Sequence, residues 1–218
     1  MVRLFFIQLL LLIFFIQPSI GQVEGPDCYS VHKSQYDKFS LKTIKEIRLK
    51  KILTPFFELS DKNYGQKYFI DYEPTFINDS SAYFVIDTGA AKGYKIRLET
   101  QKFDSVQHKF TKSVFGGICL IDNKIFWGTD ETVPRKEIKK FEVLFNNQKI
   151  GMPLSEFRDL FNPTLGISGE ILNLHAKMDR KGEYFIIVLS GSDAAGSYSA
   201  VWIFKNGKYI RRVVESLC

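Results

Sequence analysis

The stretch of sequence that most constrains the fold is residues 184–214. Three runs rich in β-branched and aromatic residues are separated there by two clusters of turn residues, a pattern typical of consecutive antiparallel strands. Between the second and third runs, Asn206-Gly207 predicts a type I′ hairpin turn, because both central residues of that turn need a positive φ. The stretch therefore predicts three antiparallel strands in succession.

Short apolar runs and turn clusters continue to alternate from residue 67 onward. Asp122-Asn123, Asn146-Asn147 and residues 179–182 each separate two such runs and predict further hairpins. The pattern predicts a mainly β protein of roughly nine to eleven strands, arranged as an antiparallel, hairpin-rich sandwich or an up-and-down barrel. One or two short helices are also expected, one within residues 38–53 that ends before Pro55 and one over residues 155–161 that Ser155 caps.

The first 21 residues have the pattern of a secretory signal peptide. Arg3 supplies the positive charge, residues 4–16 form the apolar segment, and Ser19 and Gly21 lie at the small-residue positions of a cleavage site. The apolar segment is shorter than the about 20 residues that a spanning helix needs, so we expect cleavage and no stable membrane anchor afterwards. The sequence thus predicts a secreted or periplasmic protein with residues 22–218 as a single β-rich domain.

Cysteine usage agrees with export, because oxidising compartments allow disulfide bonds. The chain has three cysteines, Cys28, Cys119 and Cys218, so at most one intramolecular bridge can form. Domain termini often lie close together, which favours a bridge between Cys28 and Cys218. Cys119 lies in an apolar run and is expected to be a buried thiol.

The charge and the histidines exclude some classes of function. The chain carries 30 Lys and Arg against 24 Asp and Glu, a formal net charge of +6. Because the basic residues are scattered and not concentrated in one motif, no nucleic-acid partner is expected. The three histidines lack the spacing of zinc ligands. No pattern in the sequence indicates a metal or a cofactor, and none is predicted.

One short motif points to catalysis. Residues 84–90 read Phe-Val-Ile-Asp-Thr-Gly-Ala, which resembles the catalytic strand and turn of retropepsin-like aspartic proteases. In such enzymes two aspartates share one proton. Since the sequence contains one motif of this kind, the resemblance implies a homodimer with Asp87 as its catalytic residue. The alternative interpretation is a strand that ends in an Asp-Thr-Gly turn.

Two polar loops supply the remaining candidate residues. In the loop of residues 190–197, Ser192, Asp193 and Ser197 offer oxygen atoms and backbone N–H groups to a small ion. In the loop of residues 127–135, Asp130 and Arg135 are candidates for a binding face. The alternatives are an ordinary hairpin connection for the first loop and an ion-paired surface loop for the second.

These patterns lead to two functional hypotheses. The leading one is a non-enzymatic, exported β-domain that binds a protein or a cell-envelope ligand. The alternative is a hydrolase, either the dimeric aspartic protease that uses Asp87 or an enzyme with a site around Asp130 and Asp193.

Overall fold

The computed structural model describes residue 28 and residues 39–57, 68–168, 171–192 and 196–216. The predicted signal peptide, Asp193 and Cys218 lie outside the described residues.

Antiparallel strands are the main secondary structure of the described chain and form two five-stranded sheets and two smaller hairpins. Sheet I consists, in spatial order, of β1 (Phe69–Tyr72), β11 (Leu174–Asp179), β12 (Tyr184–Gly191), β13 (Tyr198–Lys205) and β14 (Lys208–Ser216). Sheet II consists of β2 (Phe76–Ile77), β3 (Ser81–Val85), β4 (Tyr94–Lys102), β7 (Lys136–Phe145) and β8 (Gln148–Lys149). The hairpins pair β5 (Phe110–Lys112) with β6 (Ile118–Ile121) and β9 (Ile167–Ser168) with β10 (Ile171–Leu172).

The helical part of the described chain is small. It includes one α-helix, α1 (Ile47–Phe57), and three 3₁₀ turns (Leu41–Thr43, Ser105–Gln107 and Leu154–Glu156).

The two sheets pack against each other through one buried hydrophobic cluster to which both contribute. The ring of Trp202 on sheet I meets Phe141 on sheet II edge to face, with centroids 4.5 Å apart. Phe185 on sheet I stacks on Tyr94 on sheet II at 3.9 Å. Such aromatic pairs add to the free energy gained by burying their area. The prediction of a mainly β, antiparallel fold is confirmed, and of the two predicted architectures the structure shows the sandwich.

A third layer covers the outer face of sheet I. Leu49 and Leu53 of α1 are buried in a second cluster together with Ile186, Val201 and Ile203 of β12 and β13. These two central strands are therefore buried on both faces along almost their whole length. Strands buried on both faces have continuous apolar sequences, which is why residues 184–189 and 200–204 are apolar without interruption.

An ion-pair cluster fixes α1 to the turn between β11 and β12. Arg48 pairs with Asp179 and with Glu183. Asp179 is almost fully buried and also accepts hydrogen bonds from the backbone N–H groups of Glu183 and Tyr184, at 2.6 and 2.7 Å. The same carboxylate thus closes the hairpin turn and holds the helix that covers the sheet.

Three of the four predicted hairpins agree with the structure, and the one around Asp122-Asn123 does not join two strands. Asn206 and Gly207 both have a positive φ, 51° and 72°, and join β13 to β14. Asn146 and Asn147, with φ of 51° and 63°, join β7 to β8. Residues 179–182 connect β11 to β12. The three strands predicted over residues 184–214 are confirmed as β12, β13 and β14.

The first predicted helix is confirmed with different bounds, and the second is wrong. Helix α1 begins at Ile47 and continues through Pro55. A proline in the last turn removes a backbone hydrogen bond, but the packing of Leu49 and Leu53 on sheet I stabilises the helix in spite of that loss. Residues 155–161 contain only a 3₁₀ turn, and its N-cap residue is Pro153, not Ser155. The α-helix does not form there because Leu160 and Phe161 are extended and bridge to Trp127 and Glu137.

The predicted disulfide is also wrong. Cys28 pairs with Cys119, and their Cα atoms lie 4.8 Å apart, within the range that a disulfide spans. Since each sulfur forms one such bond, Cys218 is not the partner of Cys28. Cys119 is fully buried on β6, as its apolar surroundings predicted, but it is bonded and not a free thiol.

Candidate functional site

The candidate residues are divided between the two ends of the sandwich. Strand β4 runs from Tyr94, opposite Phe145, to Lys102, opposite Lys136. The end of the sandwich at which β4 begins carries Asp87 and the turns of residues 87–93, 146–147 and 179–182; we call it the turn end. The opposite end carries the loop of residues 127–135 and the described residues 190–192 and 196–197 of the other loop; we call it the loop end.

Asp87 lies at the turn end, exposed, just after β3. The turn that follows is closed by backbone hydrogen bonds between Ile86 and Tyr94 at 3.0 Å and between Gly93 and Ile86 at 2.9 Å. Gly89 has a φ of +67°, a conformation that glycine adopts at low cost. This geometry is that of a strand ending in an Asp-Thr-Gly turn. The dimeric protease depends on a second chain and stays a prediction.

Asn162 connects the segments of the loop end. Its Oδ1 accepts hydrogen bonds from the backbone N–H groups of Arg135 and Lys136, at 2.8 and 3.0 Å, and its Nδ2 donates to the carbonyl of Gly128 at 2.6 Å. Its own carbonyl accepts from the N–H of Ser192 at 2.9 Å. One side chain and its backbone therefore join both loops that the sequence singled out.

The two loops are also in direct contact. A Cβ atom on Gly196 would lie 2.6 Å from the carbonyl carbon of Thr129, so only glycine allows this approach. The side chains of Asp130 and Arg135 are exposed, whereas Ser192 and Ser197 are half-buried. The structure thus brings the loop of Asp130 and Arg135 against the loop of Ser192 and Ser197, and it separates all four from Asp87.

A pair of exposed apolar residues lies next to these loops, at the end of the β5–β6 hairpin. Val114 is 60% exposed and Phe115 is 95% exposed; we call these two residues the apolar tip. Val133, in the neighbouring loop, is 49% exposed. A phenylalanine with almost its whole surface in water is unfavourable for an isolated soluble domain.

The hairpin that carries the apolar tip is held in place on both sides. The N–H of Ser113 donates to the carbonyl of Gly117 at 2.8 Å, and the N–H of Gly116 donates to the carbonyl of Ser113 at 3.0 Å. Ile118 donates its N–H to the carbonyl of Glu131 at 2.9 Å, which attaches the hairpin to the loop of residues 127–135. The disulfide of Cys119 then fixes β6. Phe115 is therefore exposed on an ordered element.

A cleft of about 420 Å³ opens between the start of β7, the Asp122-Asn123 turn and residues 155–159. His108 lies in its wall between two carboxylates. Its Nδ1 is 2.7 Å from an Asp122 oxygen, and its Nε2 is 3.7 Å from a Glu137 oxygen. The ring stacks on Phe103 at a centroid distance of 4.5 Å. These contacts fix both the plane and the position of the imidazole.

The floor of the cleft contains a buried ion pair. Both Nη atoms of Arg212 donate to the two carboxylate oxygens of Asp159, at 2.5 and 2.7 Å, and the arginine side chain has no exposed surface. Arg212 also donates to the carbonyl of Glu156 at 3.0 Å and lies over the ring of Phe39 at 4.6 Å. The charge of Asp159 is therefore neutralised from within the core.

The pKa of Asp122 is set by opposing influences. Burial alone would raise it, but the backbone N–H of Lys109 and the ring of His108 donate hydrogen bonds, and the positive charges of His108 and Lys124 act in the same direction. The net result is a pKa below the usual range of an aspartate. Asp122 is therefore a stable anion that orients His108 and is not a proton donor near neutral pH.

The sequence did not predict the cluster of His108, Asp122 and Glu137, because the three residues are far apart in the chain. The signal lies in the hairpin register. Strand β5 pairs Phe110 with Ile121, so the residues just before β5 and just after β6 must be neighbours.

The Asp122-Asn123 turn was predicted as the tip of a hairpin between residues 114–121 and 124–127. The structure instead pairs β6 with β5, and Lys124 forms only an isolated bridge to Ile121.

No protein-family model, curated protein or solved structure matches this chain. Within the described ranges, no His, Cys, Asp and Glu side chains form a group of three or more that could hold a metal ion. None of the helices described is long and apolar enough to span a bilayer.

Proposed function

We propose that this protein is an exported, non-enzymatic domain that binds a protein or a cell-envelope ligand through the apolar tip. The observation that carries the proposal is the 95% exposure of Phe115 next to Val114, at the end of an ordered hairpin. Exposed apolar groups of this kind mark interaction sites, and aromatic residues dominate the binding energy of interfaces.

The order of the hairpin supports the proposal further. Binding costs free energy when side chains and loops must be fixed on association. Here the hydrogen bonds of Ser113 and Ile118 and the disulfide of Cys119 already fix the backbone around the tip. Binding through Phe115 would therefore need little further ordering of the hairpin backbone.

The loop of residues 127–135 extends the proposed surface. Val133 adds a half-exposed apolar side chain, and Asp130 and Arg135 add exposed charges of both signs. Polar and charged residues around an apolar centre are the usual composition of an interface rim. The export that the signal peptide predicts would place this surface in contact with other exported proteins or with the envelope.

The test compares the mature protein with the variant Phe115→Ser. Affinity capture from the envelope fraction of the producing cell should recover a stoichiometric partner with the wild-type protein, and the variant should bind that partner about 30-fold more weakly. Sedimentation with vesicles made from the envelope lipids tests the lipid alternative with the same two proteins.

Ile47→Ser is the matched control, because Ile47 is 85% exposed on α1, in the layer that covers the outer face of sheet I. Equal binding by wild type and Ile47→Ser is expected. Undiminished binding by Phe115→Ser would exclude the apolar tip as the site. Absence of both a stoichiometric partner and vesicle binding with the wild-type protein would reject the binding function itself.

A further inference from the structure

The cleft beside His108 has a charge distribution that points to a second binding site, independent of the apolar tip. Its acidic side chains are already engaged. Asp122 accepts from His108 and from the N–H of Lys109, and Asp159 is paired with Arg212. Glu137 accepts a hydrogen bond from the Nε2 of Gln101 at 2.6 Å.

The basic side chains of the cleft, unlike the acidic ones, have no bonded partner among the described residues. Lys124, Lys139 and Arg158 all line it and are exposed. In the part of the chain that the structure describes, none of the three forms an ion pair or a side-chain hydrogen bond. Lys124 acts on the nearby Asp122 through its charge alone. The cleft therefore has positive charge without a bound counterpart.

A β-bulge brings Lys139 into the cleft. Strand β4 pairs Glu99 with Lys140 and Thr100 with Ile138, so Lys139 is the extra residue on β7. A regular strand would turn successive side chains to opposite faces. Here Glu137, Ile138 and Lys139 all contribute to the lining of the cleft, and Ile138 also belongs to the buried cluster between the sheets. Bulges re-aim side chains and occur often beside functional sites.

The rest of the lining is partly polar (Gln101, Gln107 and Ser155) and partly apolar. Phe39, Ile121, Phe126 and Phe161 line the cleft together with the basic residues, and Phe39 is fixed from behind by Arg212. Small-molecule sites combine such apolar walls with a few placed polar groups, in volumes similar to this one.

We propose that the cleft binds a small ligand that carries an oxyanion, a phosphate or a carboxylate, on an apolar group. The oxyanion contacts Lys139 and Arg158, and the apolar group lies against the aromatic wall. Arg158 suits this role because a guanidinium donates two parallel hydrogen bonds to a carboxylate or a phosphate.

The experiment is an NMR titration of the mature protein with phenyl phosphate, phenylacetate, inorganic phosphate and benzylamine. Phenyl phosphate or phenylacetate should shift the resonances of Lys139 and Arg158 in a saturable way, and whichever binds more tightly identifies the oxyanion. Inorganic phosphate should bind more weakly than phenyl phosphate, because it lacks the apolar group. Benzylamine, which is a cation of similar shape, should not bind.

Lys139→Ala and Arg158→Ala should each weaken the binding of the preferred anion about tenfold, because each removes a charge-assisted hydrogen bond. Lys181→Ala is the matched control, since Lys181 is an exposed lysine at the turn end, and it should change nothing. Phe115→Ser should also leave anion binding unchanged, which separates this site from the apolar tip. Tighter binding of benzylamine than of either anion, or full affinity in both cleft variants, would overturn the proposal.

Discussion

Sheet I and sheet II have the same antiparallel pairing but differ in what covers their second face. The outer face of sheet I lies under α1, so Ile186, Val201 and Ile203 are fully buried there. The outer face of sheet II is open to solvent, and on it Arg97 forms an ion pair with Glu99. A strand in which polar and apolar residues alternate therefore has one covered face, and a strand with a continuous apolar run is covered on both faces.

The largest expected effect comes from placing a carboxylate on the covered face. Ile203→Asp moves a carboxylate from water into the buried apolar cluster under α1, so we expect the protein not to fold, or to lose more than about 4 kcal/mol of its free energy of unfolding. Chemical denaturation followed by circular dichroism measures this loss.

Val85→Asp is the matched change on the open face of sheet II. Val85 is 53% exposed, so the free energy of unfolding should change by at most about 0.5 kcal/mol. If Ile203→Asp gives no folded protein, the milder pair Ile203→Ala and Val85→Ala keeps the comparison measurable, with an expected loss of about 2–5 kcal/mol for the first. Equal losses for the two sheets would contradict the three-layer arrangement.

The second prediction concerns one arginine in each sheet. Arg212→Met removes the partner of Asp159 inside the protein and leaves a carboxylate unpaired, which should cost about 3–5 kcal/mol of the free energy of unfolding. Arg97→Met removes an exposed ion pair that water and salt already screen, so its effect on stability should not be measurable.

The double variant Arg212→Met/Asp159→Asn separates the loss of attraction from the cost of the unpaired charge. Because it removes both charges together, it should recover part of the stability that Arg212→Met loses. A double variant no more stable than the single one would show that Arg212 acts through its packing on Phe39 instead.

The smallest expected effect lies on the open face of sheet II. Glu99 accepts hydrogen bonds from the Tyr83 hydroxyl at 2.8 Å and from Arg97 at 2.5 Å, and these two contacts lower its pKa. Because the pKa of Glu99 is lower in the folded state, its contribution to stability is present above the unfolded value of about 4.3 and is lost as the pH falls through the folded value.

A carbon NMR titration of the Glu99 carboxyl should therefore give a midpoint below about 4.3. In Arg97→Met and in Tyr83→Phe the midpoint should rise, since each variant removes a hydrogen bond that lowers the pKa of Glu99. A midpoint at or above the ordinary glutamate value would show that these contacts do not persist in solution.

The local fold was predictable from the sequence because its signals are local. Asn206-Gly207 and Asn146-Asn147 fix their turns through backbone preferences that act within four residues. The third layer was not predicted, since the apolar face of α1 is short and its partner strands lie more than a hundred residues away in the chain. The helix was predicted to end before Pro55, but its packing on sheet I lets it continue to Phe57.

The candidate sites were less predictable for the same reason. Asp130, Arg135, Ser192 and Ser197 were chosen for their residue types. They lie together at the loop end because of the hydrogen bonds of Asn162, which directly follows the helix predicted over residues 155–161. The cleft cannot be read from single residues. It arises where the β4–β7 bulge, the β5–β6 hairpin and the Asp159–Arg212 pair meet.

The pairing of β1 with β11 affects how the chain is made. Phe69 lies opposite Asp179, so the ribosome must add more than a hundred residues after β1 before its partner strand exists. The separation along the chain is larger still between helix α1 and β13, the strand on which it packs. Proteins dominated by such distant contacts fold slowly, on the order of milliseconds to seconds, and their unfinished chains expose apolar surface that aggregates or recruits chaperones. Leu49, Leu53 and Phe69 are the residues that a chaperone would protect during that interval.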